Sequence, residues 1–352
     1  SYMTDQISEL FEQFDVDGVE LDFMRHPTFF RIEEGYANRH LMTDLLSTVR
    51  RRMRKAGESR GKRLDLTVRV PPTLPDAARI GLDVEQWIAD DLIDIVIAGG
   101  GFIPFSMPLE QFVAAAKGSN CQVYGGIEHL RPALDDDVVR AIAAKFWAAG
   151  ADGIHLFNYF GKSAEWNRHV LNQIADPSRL DRLDKRYHMD HTDRLMPRDL
   201  HDFPFRHAVP AVQLPVTLTY TLRGRGAMLT LSVADDVRQA KSEGALDTCE
   251  LRLSMDNYTA EDELEIWLNG QVLSPGLCRR SFGGWRRLEW TQFPDRTAEV
   301  NHLGGTLDYD LSDSFLQPGE NTFEIRLVKR TVQQAMPLVL RDLQLHIRYQ
   351  SA

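Results

Sequence analysis

The chain has 352 residues, 43% hydrophobic and 26% charged, with a formal charge of -10, enough apolar material for two cores and the wrong composition for intrinsic disorder. Lys and Arg are interleaved with Asp and Glu on this acidic background, so no nucleic-acid partner is expected. Cys121, Cys249 and Cys278 are too few and too scattered for a disulfide framework, and no stretch approaches the roughly 20 apolar residues that cross a bilayer, so no membrane partner is expected and the compartment stays unknown.

Met3, Ile7, Leu10, Phe11 and Phe14 recur at helical spacing from the first residues, which suggests that the native N-terminus lies further upstream. They lead through Asp17-Gly18 into the alternating run Val19-Glu20-Leu21-Asp22-Phe23. A helix follows over Asn38 to Lys55, with the basic run Arg50 to Lys55 read as its dipole-complementing end. Further strand and helix runs then alternate: strand Leu64 to Val70, helix near Val84 to Ala89, strand Leu92 to Ala98, helix Leu109 to Ala116 and strand Cys121 to Ile127. The last unit is a helix over Asp136 to Ala149, the strand Gly153 to Tyr159 and a closing helix near Ala164 to Ile174. Such alternation implies parallel strands joined by right-handed crossovers.

Strand faces separate a barrel from a doubly wound sheet. Val19, Leu21 and Phe23 point one way, while Glu20 and Asp22 share the other; Asp65, Thr67 and Arg69 oppose Leu64, Leu66 and Val68; Gln122, Tyr124, Gly126 and Glu128 share a face. Polar groups on the helix-free face suit a barrel lumen, and no glycine-rich nucleotide fingerprint follows the first strand. The expected fold is therefore α/β, a (β/α)8 TIM-type barrel that shows only strands four to eight. A closed barrel needs eight strands. Either an N-terminal segment is missing or a partner, such as a second copy, completes the wall; truncation is favoured because an open wall exposes strand edges.

Pro177 to Pro210 reads as a connector, after which the period changes to two: Leu264, Ile266 and Leu268 precede the hairpin turn Asn269-Gly270, and Phe323, Ile325 and Leu327 and then Leu343, Leu345, Ile347 and Tyr349 repeat the alternation. Residues 1–200 are thus expected to be barrel and 201–352 an all-β sandwich of jelly-roll type.

The segment Asp15-Val-Asp-Gly-Val-Glu-Leu-Asp-Phe-Met-Arg-His-Pro27 resembles the fourth strand of barrel glycoside hydrolases, above all the bacterial family-ten-like glycosyl hydrolases. The resemblance continues through Arg69-Val-Pro-Pro-Thr73, Gly81-Leu-Asp-Val-Glu-Gln-Trp87, Ala98-Gly-Gly-Gly101 and Asp184-Lys-Arg-Tyr187. It implies a carbohydrate substrate and two-carboxylate hydrolysis of glycosidic bonds, with Asp22 as acid/base and Glu128, on what would be the seventh strand, as nucleophile; an exchange of roles stays open. Chitinase-like barrels carry their catalytic Glu two positions after the last Asp, where this chain has Met24, and amylase-like motifs carry Arg where it has Glu20.

Substrate contacts are expected from Glu20, Arg25, His26, Arg69, His155 and Tyr159, the last two facing the lumen of the final strand. Plainer readings stand beside these: Glu20 and Asp65 as lumen charges paired with Arg69 or Arg25, Asp22 as a loop cap, Glu128 in a surface ion pair, His155 and Tyr159 as hydrogen-bonded core, and Trp147 and Trp166 as core instead of sugar platforms. His188-Met-Asp190-His191-Thr-Asp193 matches no zinc spacing, so neither metal nor cofactor is expected; Gly99-Gly100-Gly101 lacks the lysine of a phosphate loop and reads as a tight substrate-approach loop. The rival to a hydrolase is a non-catalytic glycan-binding or scaffolding protein on a degenerate barrel, and a third reading is a lyase or isomerase using Arg69 and His26 on an acidic sugar.

Overall fold

The computed structural model describes residues 2–24, 29–31, 33–99, 105–128, 135–159, 163–190, 212–220, 226–290, 297–312, 315–331 and 336–350. These fall into two compact units, one drawn from Ser1–Glu128 and Ala149–Phe157, the other from His129–Ala148, Asn158–Met196 and Val212–Ala352.

The first unit runs α1 (Tyr2–Gln13), β1 (Gly18–Asp22), α2 (Gly35–Arg60), β2 (Asp65–Val70), α3 (Leu74–Arg79), α4 (Val84–Ala89), β3 (Ile95–Ala98), α5 (Leu109–Ala116), β4 (Gln122–Glu128) and β5 (Gly153–Phe157). Its strands are parallel and lie in the order β1-β2-β3-β4-β5. A doubly wound sheet reverses its strand order at a switch point; this one never does, as in part of a barrel wall. The described residues thus form a parallel half-barrel sheet.

Register assigns the faces. Asp22 pairs with Arg69, Arg69 with Ile97, Ile97 with Tyr124 and Tyr124 with Gly153, while Gly126 pairs with His155 and Glu128 with Phe157. All of these, with Glu20, share one face. The opposite face is apolar: Leu66, Val68, Val70, Val96, Ala98, Val123 and Ile127 are buried, each contributing about 1.5–3 kcal/mol for a residue of Val or Leu size. Val19 and Leu21 are only half-buried, because β1 is an edge strand.

Helix α2 buries the stripe Met42, Leu46, Val49 and Met53, one side chain per turn. It ends at Gly61, whose φ of 66° lets the chain reverse so that the Lys62 N–H bonds the Gly57 carbonyl at 3.1 Å. The basic run Arg50 to Lys55 therefore lies inside the helix and not at its end. Its arginines are placed by carboxylates from other elements: Arg50 is buried in a two-pronged pair with Asp94 at 2.7 and 2.8 Å, Arg52 reaches Asp5 at 2.8 Å and Arg54 reaches Asp91 at 3.0 Å. Asp65, expected as a lumen charge, sits at the start of β2 and faces Arg63 at 3.9 Å.

The second unit holds α6 (Asp136–Ala148), α7 (Ala164–Ile174), α8 (Pro177–Leu180), α9 (Val237–Ser242) and the remaining strands. Within it β8 (Ala227–Val233), β10 (Glu263–Leu268), β11 (Gln271–Val272) and β16 (Gly319–Lys329) make an antiparallel sheet ordered β11-β10-β16-β8. A six-stranded sheet contains β6 (Lys185–His188), β7 (Val216–Leu218), β9 (Leu246–Asp256), β12 (Cys278–Phe282), β15 (Gly304–Asp310) and β17 (Leu338–Tyr349), and β13 (Trp285–Trp290) pairs with β14 (Thr297–His302). Alternation buries Ile266, Leu268, Phe323, Ile325 and Leu327 in the first sheet and Leu251, Leu253, Leu343, Leu345 and Ile347 in the second. Asn269 and Gly270, with φ of 50° and 81°, make the tight turn between β10 and β11.

The stretch expected to be a connector from Pro177 contains α8 and strand β6, which pairs with Gln344–Ile347 of β17. Its register is fixed by a buried polar network: Lys185 Nζ lies 2.8 Å from Asp235 Oδ1, and the hydroxyls of Tyr187 and Tyr349 both donate to the same carboxylate.

Candidate active site

Strand β1 ends at Asp22 because the side chain turns back on the chain: its Oδ1 accepts the Met24 N–H at 2.8 Å, a local turn that competes with further pairing. Its other oxygen, Oδ2, accepts from Arg69 Nη1 at 3.1 Å. The Arg69 side chain is 4% exposed, has its Cζ 3.7 Å from the centroid of the Phe157 ring, and has its second amino nitrogen 3.7 Å from Glu128 Oε2. Three strands thus bring Asp22, Arg69 and Glu128 to one point at the carboxyl ends of the sheet. Since the two amino nitrogens of one guanidinium are about 2.3 Å apart, the two acid oxygens lie no more than about 9 Å from each other.

Glu20 lies one pleat below Asp22 on the same face and looks toward β5, with Oε2 3.8 Å from His155 Nε2. Burial first, and then the negative charge of Asp22, push the Glu20 carboxyl above its ordinary range, with Arg69 opposing. Burial first, and then the Arg69 charge, push His155 down, with Asp22 opposing. His155 Nδ1 and Arg69 Nε are buried without a hydrogen-bond partner among the described residues. The His155 and Phe157 rings are near parallel, with centroids 6.4 Å apart.

Between these groups the sheet is bare. A Cβ at Gly126 would stand 3.0 Å from the Ala98 carbonyl oxygen and one at Gly153 would meet the Tyr124 ring at 2.6–2.8 Å, so Tyr124 covers Gly153 and no side chain rises between Tyr124 and Glu128 on β4.

Six of the eight expected site residues are described. Asp22, Glu128, Glu20, Arg69 and His155 share this face. The fifth strand ends at Phe157, not at Tyr159; Tyr159 belongs to the second unit, where its ring stacks on Trp166 at 5.6 Å, and burial raises its hydroxyl well above the usual range. Arg25 and His26 lie outside the described residues, as do Gly100, Gly101, His191 and Asp193. Gly99 has a φ of 100° and would meet Met107 Sδ at 2.6 Å if it carried a Cβ. Phe157 was missed, though its place two residues after His155 on one strand puts it on the same face. Trp147 and Trp166 direct their indole N–H groups to the Ile174 carbonyl and to Asp136. Among the described residues, no three His, Cys, Asp or Glu side chains are grouped to hold a metal ion, and no helix is long and apolar enough to cross a membrane.

No protein-family model and no curated protein matches the chain. Among solved structures, it is similar to a family 18 N-acetylglucosaminidase from Paenibacillus barengoltzii, at 12% identity and a TM-score of 0.35 over 49% of this chain and 74% of that one. It is also similar to a family 18 chitinase from Chromobacterium violaceum, at 11% identity and a TM-score of 0.29 over 98% of this chain and 70% of that one. Both likenesses are distant.

Proposed function

We propose that the protein is a glycoside hydrolase-like enzyme that cleaves a glycosidic bond with carboxyl groups at the carboxyl ends of the half-barrel strands. The observation that supports this most directly is the convergence of Asp22 and Glu128, from non-adjacent strands, on the single guanidinium of Arg69. Glycosidic cleavage needs one group to protonate the leaving oxygen and a second to attack the anomeric carbon or activate water, at a separation of several ångströms. Asp22 and Glu128 are the proposed pair, Arg69 their positioning residue, and Glu20 and His155 their neighbours on the sugar side. Arg25 and His26 are proposed as further substrate contacts. The β-rich region after residue 201 is assigned an accessory role.

A second reading is favoured by the same guanidinium. Arg69 neutralises much of the charge that the carboxylates would use, so a site that recognises a glycan without cleaving it is the alternative. The two are separated by assaying the wild type, Asp22→Asn and Glu128→Gln for reducing-end release from a panel of oligosaccharides, with glycan-array binding measured in parallel. The hydrolase reading expects each substitution to lower turnover by about 100-fold or more with binding retained. Binding by the wild type without turnover on any oligosaccharide of the panel would favour the non-catalytic protein.

A further inference from the structure

We infer that the transferable proton of this site resides on Glu20, with the His155 imidazole as its exchange partner, while Arg69 fixes Asp22 and leaves Glu128 as nucleophile or base. The inference rests on the hydrolase reading above and changes which group donates.

Both oxygens of Asp22 are already committed, one to the Met24 N–H and one to Arg69, and Glu128 faces the other arm of the same guanidinium. A carboxyl held by a guanidinium is poorly suited to carrying a proton to a leaving group. Glu20 is placed differently. It accepts no hydrogen bond from a described residue, is 39% exposed, and so can reach a ligand, and its near neighbour is an imidazole instead of a fixed cation. The charged and titratable groups around it are Asp22 on its own strand, Arg69 from β2 and His155 from β5. Burial and then Asp22 push the Glu20 carboxyl upward, and His155 beside it has a buried Nδ1 with no hydrogen-bond partner among the described residues. A carboxyl shifted toward its acid form, 3.8 Å from an imidazole on the same face of the sheet, is an arrangement that passes a proton.

In the step, Glu20 gives its carboxyl proton to the glycosidic oxygen as the bond from the anomeric carbon to that oxygen breaks, and the oxygen keeps the electron pair. The new bond to the anomeric carbon forms from a Glu128 oxygen, or from a water whose proton passes to Glu128. In the first route Glu20 recovers its proton from the water that later releases the sugar. In the second, Glu128 releases its proton to solvent and His155 hands Glu20 a proton taken from solvent.

The experiment is a carboxyl-carbon NMR titration of the full chain labelled at glutamate side chains, with the Glu20 signal assigned by its loss in Glu20→Gln or by its displacement in His155→Gln. The expected result is that Glu20 titrates above the ordinary glutamate range and returns toward it in Asp22→Asn. Titration in the ordinary range, or indifference to Asp22→Asn, would overturn the assignment. Hydrolysis then tests the role: on 4-nitrophenyl glycosides, whose leaving group needs little protonation, Glu20→Gln should keep most of its activity, and on the matching alkyl glycosides it should lose about 100-fold. Equal losses on both would overturn the donor role. A wild type that cleaves neither series would sink the hydrolase reading, and with it the donor role, even if the titration shows a raised Glu20.

Discussion

Arg69 Nη1 lies 3.1 Å from Asp22 Oδ2, and the two residues stand directly opposite each other in the register of β1 and β2 although 47 positions separate them in the chain. The guanidinium is almost wholly buried, and its other arm faces the equally buried Glu128. Arg69→Met should therefore leave an uncompensated carboxylate and lower stability by about 3–5 kcal/mol. Arg69→Lys, with one point charge where a fork is needed, should recover only part. In urea denaturation, Arg69→Met combined with Glu128→Gln should be less destabilised than the sum of the single changes; additivity would show that the two side chains are not coupled.

Asp94 is expected to set part of the acid stability of the first unit. Burial alone would raise its carboxyl, but Arg50, the Leu66 N–H and Arg63 together hold it below the usual carboxylate range. A depressed carboxyl contributes stability that is present above its unfolded value and is lost as the pH falls through the folded one. The urea midpoint should therefore decline below about pH 4. Asp94→Asn should flatten that decline and lower stability at pH 7 by about 3 kcal/mol, because Arg50 is left buried without its partner.

Asp76 should act in the opposite direction. It is buried in the first turn of α3, whose cap is Thr73, and burial pushes its carboxyl up to about 6, against the opposing Thr73 hydroxyl and Arg79. The folded state then holds the proton more tightly than the unfolded one. Stability is favoured below about pH 4 and falls as the pH rises to about 6. Asp76→Asn should remove this fall, so that its stability relative to wild type improves by about 2 kcal/mol between pH 4 and pH 7. A pH-independent difference would show that burial does not govern this group.

Asp235 should be the most sensitive polar position of the second unit. It accepts from Lys185, Tyr187 and Tyr349, and Lys185 is itself buried. Asp235→Ala should cost about 3–5 kcal/mol by leaving an ammonium without its counter-charge. Lys185→Met with Asp235→Leu, an apolar replacement of the pair, should recover much of the loss in thermal unfolding. Failure to recover would place the energy in the tyrosine hydrogen bonds instead.

Local pattern already specified much of the fold. The period of 3.6 in α2 and the alternation in β1, β2 and β4 follow from which side chains must leave water, so Glu20, Asp22, Arg69 and Glu128 could be assigned to one face of parallel strands before any coordinates. The change of period to two likewise marked strands β10, β16 and β17, and Asn269-Gly270 marked the turn after β10. Element ends were less legible. Strand β5 stops at Phe157, two residues short of the expected end, and β6 arises in a polar stretch that owes its strand to β17 and to Asp235.

The pairing of charges was not legible, because it depends on register and curvature between segments far apart in the chain. The sequence by itself determined which residues face the site side of the sheet; only the tertiary structure decided that Arg69 would bridge Asp22 and Glu128 while Glu20 turned to His155. The physical reason is range: side-chain alternation is fixed within a few residues by backbone geometry, whereas an ion pair forms only where folding brings distant strands to within a few ångströms.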